Sequence, residues 1–121
     1  DATLITYGPS VSTCMQAAKV AAEEGISLEV IDIRTIVPFD DESVAASVRK
    51  TGRAIVVAEA QGFASVASEI VARVQERCFH SLAAPVLRVT GFDIPSPTLE
   101  KYNLPSVERI LDTVDQLQWE A

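Results

Sequence analysis

A chain of 121 residues has the size of one domain, roughly 100 to 150 residues, which leaves no room for a second core. With 48% hydrophobic residues, 6% aromatic residues and a mean hydropathy of +0.21, it carries too much apolar material to stay disordered and suits a small-residue α/β core. Seventeen acidic against ten basic side chains give a formal net charge of −7, which repels nucleic-acid phosphates and anionic membrane surfaces and favours a positively charged protein surface as partner.

The chain opens directly into an apolar run, Asp1-Ala2-Thr3-Leu4-Ile5-Thr6-Tyr7-Gly8, as expected of a domain cut from something longer. A first strand is predicted over residues 3–7, closed by Gly8 and Pro9. Ser10 then offers an N-cap for a helix with Val11, Cys14, Met15, Ala18 and Ala22 on one face, and Gly25 ends it. Residues 28–33 form a second strand, almost continuously apolar, as where both faces are covered. Pro38 and Asp40 lead into a short helix over 41–50, with Arg49 and Lys50 at its negative end and Thr51-Gly52 as its stop. Ala54-Ile55-Val56-Val57-Ala58 is the most apolar run of its length and belongs at the sheet centre, with Glu59 at its carboxyl end. The third helix starts near Ser65 or Val66 and aligns Val66, Ile70, Val74 and Cys78. A fourth strand covers 85–89 and stops at Gly91. Pro95, Pro97 and Pro105 exclude a regular helix or central strand between Phe92 and Pro105. Ser106 caps a last helix with Val107, Ile110, Leu111, Val114 and Leu117 in one stripe, and Trp119 falls in a short acidic tail beyond it. Four strand and helix alternations, βαβαβαβα, mark a parallel sheet flanked by helices.

The chemistry of this pattern is sparse. No GxGxxG or GxxxxGK[ST] loop follows a strand, so nucleotide binding has no motif behind it. Cys14 and Cys78 sit in apolar helical patterns without a CxxC, which points to buried free thiols in a reducing, cytoplasmic setting. No run approaches the ~20 apolar residues of a membrane span, and no basic-then-apolar leader opens the chain. His80, at a helix end, reads as structural or solvent-facing, and a Cys78–His80 pair is rejected because residues two apart on a helix diverge. Asp40, Asp41 and Glu42 suit a helix start, and Asp32 with Arg34 suits a structural ion pair on one strand face. Glu59 is the acid best placed for a contact, because ligands of open α/β sheets gather beyond the carboxyl ends of strands.

Four segments together resemble one family: Thr3 to Gly8, the block VIDIRTIVPFD over residues 30–40, SVRKTGR over 47–53, and APVLRVTGFDIP over 84–95. They are similar to the transketolase-type C-terminal domain of the beta subunits of thiamine-dependent 2-oxoacid dehydrogenases, with ERCF over 76–79 and GFDIP closer to the branched-chain than the pyruvate type. The resemblance covers nearly the whole chain, residues 1–121. It implies a three-layer α/β/α domain with a mixed five-stranded sheet, one strand antiparallel. It also implies that thiamine diphosphate and magnesium are held between an alpha subunit and the other half of the beta subunit, so that no catalytic, cofactor-binding or metal-binding residue falls in this chain. The partners implied are the alpha subunit, a second beta subunit, and the basic subunit-binding domain of the acyltransferase core. For such contacts the candidate residues are Glu59 and Asp93, and the acids of the last helix and tail, Glu108, Asp112, Asp115 and Glu120.

One departure stands out. Family members carry His-Glu-Ala-Pro and a glycine-containing loop after the central strand; here the stretch is Ala58-Glu59-Ala60-Gln61-Gly62-Phe63-Ala64-Ser65. No role of that histidine carries over. Other readings are the C-terminal domain of transketolase or of deoxyxylulose phosphate synthase, which GFDIP fits poorly, and a free-standing flavodoxin-like module. The last lacks the acids it needs, since the first strand ends in Tyr7-Gly8.

Overall fold

The computed structural model describes residues 1–93 and 104–120, apart from the side chains of 119 and 120. Nine elements follow one another: β1 (Ala2–Thr6), α1 (Ser10–Glu23), β2 (Leu28–Asp32), α2 (Asp41–Thr51), β3 (Ala54–Gln61), α3 (Val66–Cys78), a single 3-10 turn (Phe79–Ser81), β4 (Leu87–Gly91) and α4 (Val107–Glu120). The strands form one sheet in the order β2-β1-β3-β4, and every described pair is parallel. Each connection therefore crosses over the sheet, and the helices cover both faces.

Alternation along the strands divides the core into two layers. Ile5, Val56 and Ala58 face α2 and α3, where they meet Val44, Val48, Ile70 and Val74. Leu4, Ile55, Val57 and Val89 face α1 and α4, where they meet Cys14, Ala17, Ile110, Val114 and Leu117. The result is a three-layer α/β/α domain. β1 is buried along its whole length, and β3 from Ala54 to Ala58, so the most apolar run of the sequence does lie at the centre. Thr3 is the polar exception. Its hydroxyl is fully buried and lies 2.8 Å from both the Ser47 and the Thr51 hydroxyls, which gives it the partners a buried polar group requires.

Helix ends follow local chemistry. Asp40 accepts a hydrogen bond from the Ser43 amide at 3.1 Å, and the Ser43 side chain together with this amide holds its carboxyl below the usual range. Gly52 closes α2 in the left-handed region at φ 76, with its amide 2.7 Å from the Val48 carbonyl. The Ser106 hydroxyl accepts from the Arg109 amide at 3.2 Å and caps α4.

Several expectations need correction. Ser10 is the first helical residue and not the cap; Pro9 precedes it and gives no side-chain cap. The buried face of α1 is Ser10, Cys14, Ala17 and Ala21, while Met15 is 56% exposed. Alanines at 17, 18, 21 and 22 make two apolar stripes of similar strength, and the one with the smallest side chains lets the helix approach the sheet more closely. β2 is an edge strand, half-buried at every position, not a strand covered on both faces. β4 starts at Leu87 rather than residue 85, beyond Pro85, which has no amide to give the ladder. Trp119 lies within α4, which runs to Glu120. Among the described residues the sheet has four strands, as the pattern implied; the antiparallel fifth strand implied by the resemblance is not among them. Most of the proline-rich stretch, residues 94–103, lies outside the described residues.

The register of α1 and the docking of α4 can be checked by urea unfolding. Ile110→Ala empties a fully buried position and should lower stability by about 2–5 kcal/mol. Met15→Ala should change it by less than about 0.5 kcal/mol. Comparable losses at the two positions would place α1 in the other register.

Candidate functional site

Parallel strands all end at one edge of the sheet, and the chain leaves each strand there. The strand order turns back between β1 and β3, the point at which open α/β sheets gather their contacts. Glu59 lies near the end of β3 and is half-buried. Beside it Gly91 closes β4 and pairs with Gln61. A Cβ at Gly91 would stand 2.6 Å from the Glu59 carbonyl oxygen, so the two strands come together there only because residue 91 is glycine.

The β3–α3 loop is held from several sides. Arg88 on β4 donates one guanidinium nitrogen to the Gly62 carbonyl at 2.5 Å and to the Ser68 hydroxyl at 2.9 Å. The Ser68 and Ser65 hydroxyls donate to the same carbonyl at 3.2 and 3.5 Å. Asp93 accepts from the Phe63 amide at 3.2 Å. Ala64 sits at φ 54, a conformation that costs an L-residue free energy and persists only when its surroundings enforce it. Phe63 consequently projects into solvent, 84% exposed.

Arg109 organises the neighbouring corner. It donates to the Thr90 carbonyl at 2.7 Å and the Leu104 carbonyl at 3.3 Å, and its guanidinium lies 4.6 Å from the centre of the Phe92 ring. Burial pushes this guanidinium down from its ordinary value. On the β2 side, Asp32 and Arg34 form the expected pair at 2.5 Å. Asp41 does not cap. It bridges to α3 through Arg73 at 2.7 Å and Arg77 at 3.4 Å.

The candidate acids fall into two groups. Glu59 and Asp93 belong to the carboxyl edge, and Asp93 works there as a loop anchor. Glu108, Asp112 and Asp115 are exposed on α4 at spacings of four and three, opposite the buried Ile110, Val114 and Leu117. The Glu120 side chain lies outside the described residues. Arg88, Arg109 and Phe63 were not singled out from the sequence as contact residues. A basic residue between apolar neighbours on a strand, and a lone base in an acidic helix, were the signals available for the two arginines.

A third feature is an open groove of 490 Å³ between α3 and the segment entering β4, lined by Val71, Gln75, Phe79, Leu82, Pro85 and Val86 among others. His80 is exposed beside it, with its ring edge-on to Phe79. Both cysteines are free and buried. Burial pushes the Cys14 thiol up to about 11, against a smaller opposite pull from the Thr6 hydroxyl, and also raises Cys78. Among the described residues no group of three or more His, Cys, Asp or Glu is placed to hold a metal ion, and no helix is long and apolar enough to cross a membrane.

Residues 1–110 match the family described as Transketolase, C-terminal domain. The chain is 51% identical over 118 residues to the pyruvate dehydrogenase E1 component subunit beta of Leifsonia xyli, covering 96% of this chain and 35% of that protein. It is 43% identical over 120 residues to the 3-methyl-2-oxobutanoate dehydrogenase subunit beta of Mycobacterium tuberculosis, covering 97% and 34%. Against the mitochondrial 2-oxoisovalerate dehydrogenase subunit beta of Chaetomium thermophilum it is 48% identical over 111 residues, covering 88% and 24%. Thus the chain spans about a third or less of these relatives. A solved structure described as a split-gene transketolase, an inactive beta4 tetramer, superposes with a TM-score of 0.80 at 23% identity, covering 97% of this chain and 38% of that one. This likeness concerns the fold.

The close approach of β3 and β4 gives a stability test. Gly91→Ala places a Cβ against backbone and should lower the unfolding free energy by about 1–3 kcal/mol. At Gly62 the nearest atom to a new Cβ is the Thr90 side-chain oxygen at 2.9 Å, which can rotate away, so Gly62→Ala should cost less. Equal costs in denaturant titrations would show that the Glu59 carbonyl does not set the constraint.

Proposed function

Because the chain belongs to the transketolase C-terminal domain family, we propose that it is the C-terminal dimerisation and assembly domain of a 2-oxoacid dehydrogenase beta subunit. The observation that carries this reading is the alignment of almost the entire chain with beta subunits named for pyruvate and for branched-chain substrates. Both types align over most of the chain at similar identity, so the domain itself does not separate the two substrates. In the whole enzyme the reaction is oxidative decarboxylation of the 2-oxoacid with transfer of the acyl group to lipoyl. The partners are an alpha subunit, a second beta subunit and the basic subunit-binding domain of the acyltransferase core. Two buried free thiols suit a reducing cytoplasm.

The cofactor proposed for the whole enzyme is thiamine diphosphate with magnesium, and the residues here do not fit it. At the carboxyl edge the side chains of Glu59 and Asp93 are carboxylates, which repel a diphosphate. The arginines of that edge are engaged, Arg88 with Gly62 and Ser68, Arg34 with Asp32, and Arg109 with the Thr90 and Leu104 carbonyls. No catalytic step is therefore assigned to these residues. Calorimetric titration of the chain with thiamine diphosphate and magnesium should give no saturable heat. Stoichiometric binding would overturn the assignment.

The acidic face of α4 is the proposed contact for the basic domain. Glu108, Asp112 and Asp115 point outward together, and an opposite field acts chiefly on association rate, with exposed pairs contributing only ~0.2–1 kcal/mol each. Binding should weaken with added salt. The double substitution Asp112→Asn and Asp115→Asn should slow association with the cognate subunit-binding domain severalfold while leaving the circular dichroism spectrum unchanged. Unchanged on-rates at low salt in surface plasmon resonance would remove α4 as the docking face.

A further inference from the structure

Charge is divided unevenly along the chain. Residues 41–93, which build α2, β3, α3 and β4, carry six acids and six bases, so the net charge of −7 arises wholly from the other residues. An anion that the chain as a whole repels is therefore repelled least on this side.

The groove between α3 and the entry to β4 lies here. None of its lining residues is ionisable, and Gln75 is its one polar side chain. Phe79 stands at one end, 62% exposed. Toward the other end both walls run on to a single cation. Val71 lines the groove, and Ser68 precedes it by three residues, about one turn, on the same side of α3. Val86 lines the opposite wall and packs against the core layer under α3, and Arg88, two residues on, reaches Ser68 of α3 at 2.9 Å. Both side chains thus lie on the α3 face of the sheet, and Arg88 stands across the end of an uncharged trough. Its bonds to Ser68 and to the Gly62 carbonyl use Nη1 alone. Arg73 and Arg77 of the same layer both reach Asp41, whereas no carboxylate pairs with Arg88 among the described residues.

We propose that this groove binds an amphipathic monocarboxylate, its acyl chain against Val71, Phe79, Leu82 and Val86 and its carboxylate on Arg88. Nε and Nη2 form the edge of a guanidinium that takes a carboxylate in a fork. At about 30 Å³ per water-sized group, the 490 Å³ of the groove holds a chain of medium length. An apolar cleft with a few placed polar groups is the ordinary form of a small-molecule site. A diphosphate, with more charge and no chain, would leave the trough empty. The inference does not depend on the assembly role.

Calorimetric titration of the chain with octanoate at low salt is the test, beside octan-1-ol, which has the same chain without the charge, and acetate, which has the charge without the chain. Octanoate should bind saturably, one per chain, and at least about tenfold more tightly than octan-1-ol, as a charge-assisted hydrogen bond implies. Acetate should give no saturable heat. Arg88→Gln should bring octanoate down to the level of octan-1-ol and leave octan-1-ol unchanged. Gln75→Trp, at an exposed position on the groove wall, should obstruct the groove and weaken both ligands. No saturable octanoate binding would overturn the proposal, as would equal affinities for octanoate and octan-1-ol, a comparison that the unaltered chain decides even if Arg88→Gln fails to fold. Octanoate binding that survived Gln75→Trp unchanged would overturn the groove as its site.

Discussion

Everything in this domain depends on two strands that water does not reach. β1 is buried throughout, and β3 along its first five residues, so both faces of the sheet centre must be covered by something apolar. Each large side chain there contributes roughly 1.5–3 kcal/mol on burial. Each polar group there must find a partner, as Thr3 does with Ser47 and Thr51. Helices on both faces are the solution that parallel connections permit. The domain's exposed chemistry is thereby pushed to the loops, the outer helix faces and the edge strands.

That displacement explains how the carboxyl edge is built. The chain leaves β3 under tension, with Ala64 at positive φ and Phe63 held outward. The hydrogen bonds gathered on the Gly62 carbonyl, together with Asp93 on the Phe63 amide, oppose that strain. Arg88 comes from β4, and β4 can lie close enough only because residue 91 has no side chain. A glycine on one strand, an arginine on the same strand and a strained alanine on the next loop are thus one mechanical unit.

Much of this was legible in the sequence, and the divide between what was and what was not is physical. Order, type and number of the pattern-derived elements could be read because strands and long helices announce themselves by period, and α2 could be bounded closely because Asp40 and Gly52 act locally. The face of α1 could not, because alanine is apolar in every direction and only contact with the sheet selects Ala17 and Ala21 over Ala18 and Ala22. The edge position of β2 was hidden for a related reason: an apolar run shows that a strand is compatible with burial, not which neighbours it has. At the candidate site, the α4 acids were picked out by charge, and Asp93 came only with the family-like GFDIP segment. The role of Asp93 as an anchor for a backbone amide thirty residues away could not be read, nor could that of Arg88, since both depend on the pairing of β3 with β4. Ala64 gave no signal, because nothing in an alanine betrays a positive φ.

The distribution of charge gives the domain two exteriors with different physics. On the α4 layer, Glu108, Asp112 and Asp115 share one face at helical spacing, which produces a long-range field that salt screens and that favours fast, reversible contacts. On the α3 layer the cations turn inward to structure. Arg73 and Arg77 reach Asp41 of α2, and Arg49 donates to the Arg77 carbonyl at 3.2 Å. The groove beside them is left uncharged and contributes only short-range apolar contact. A surface of the first kind acts at a distance and is weakened by salt, and one of the second kind acts only in contact and is not. The two lie on opposite layers of the sheet, so the field of the acidic face is weakest where the surface is apolar.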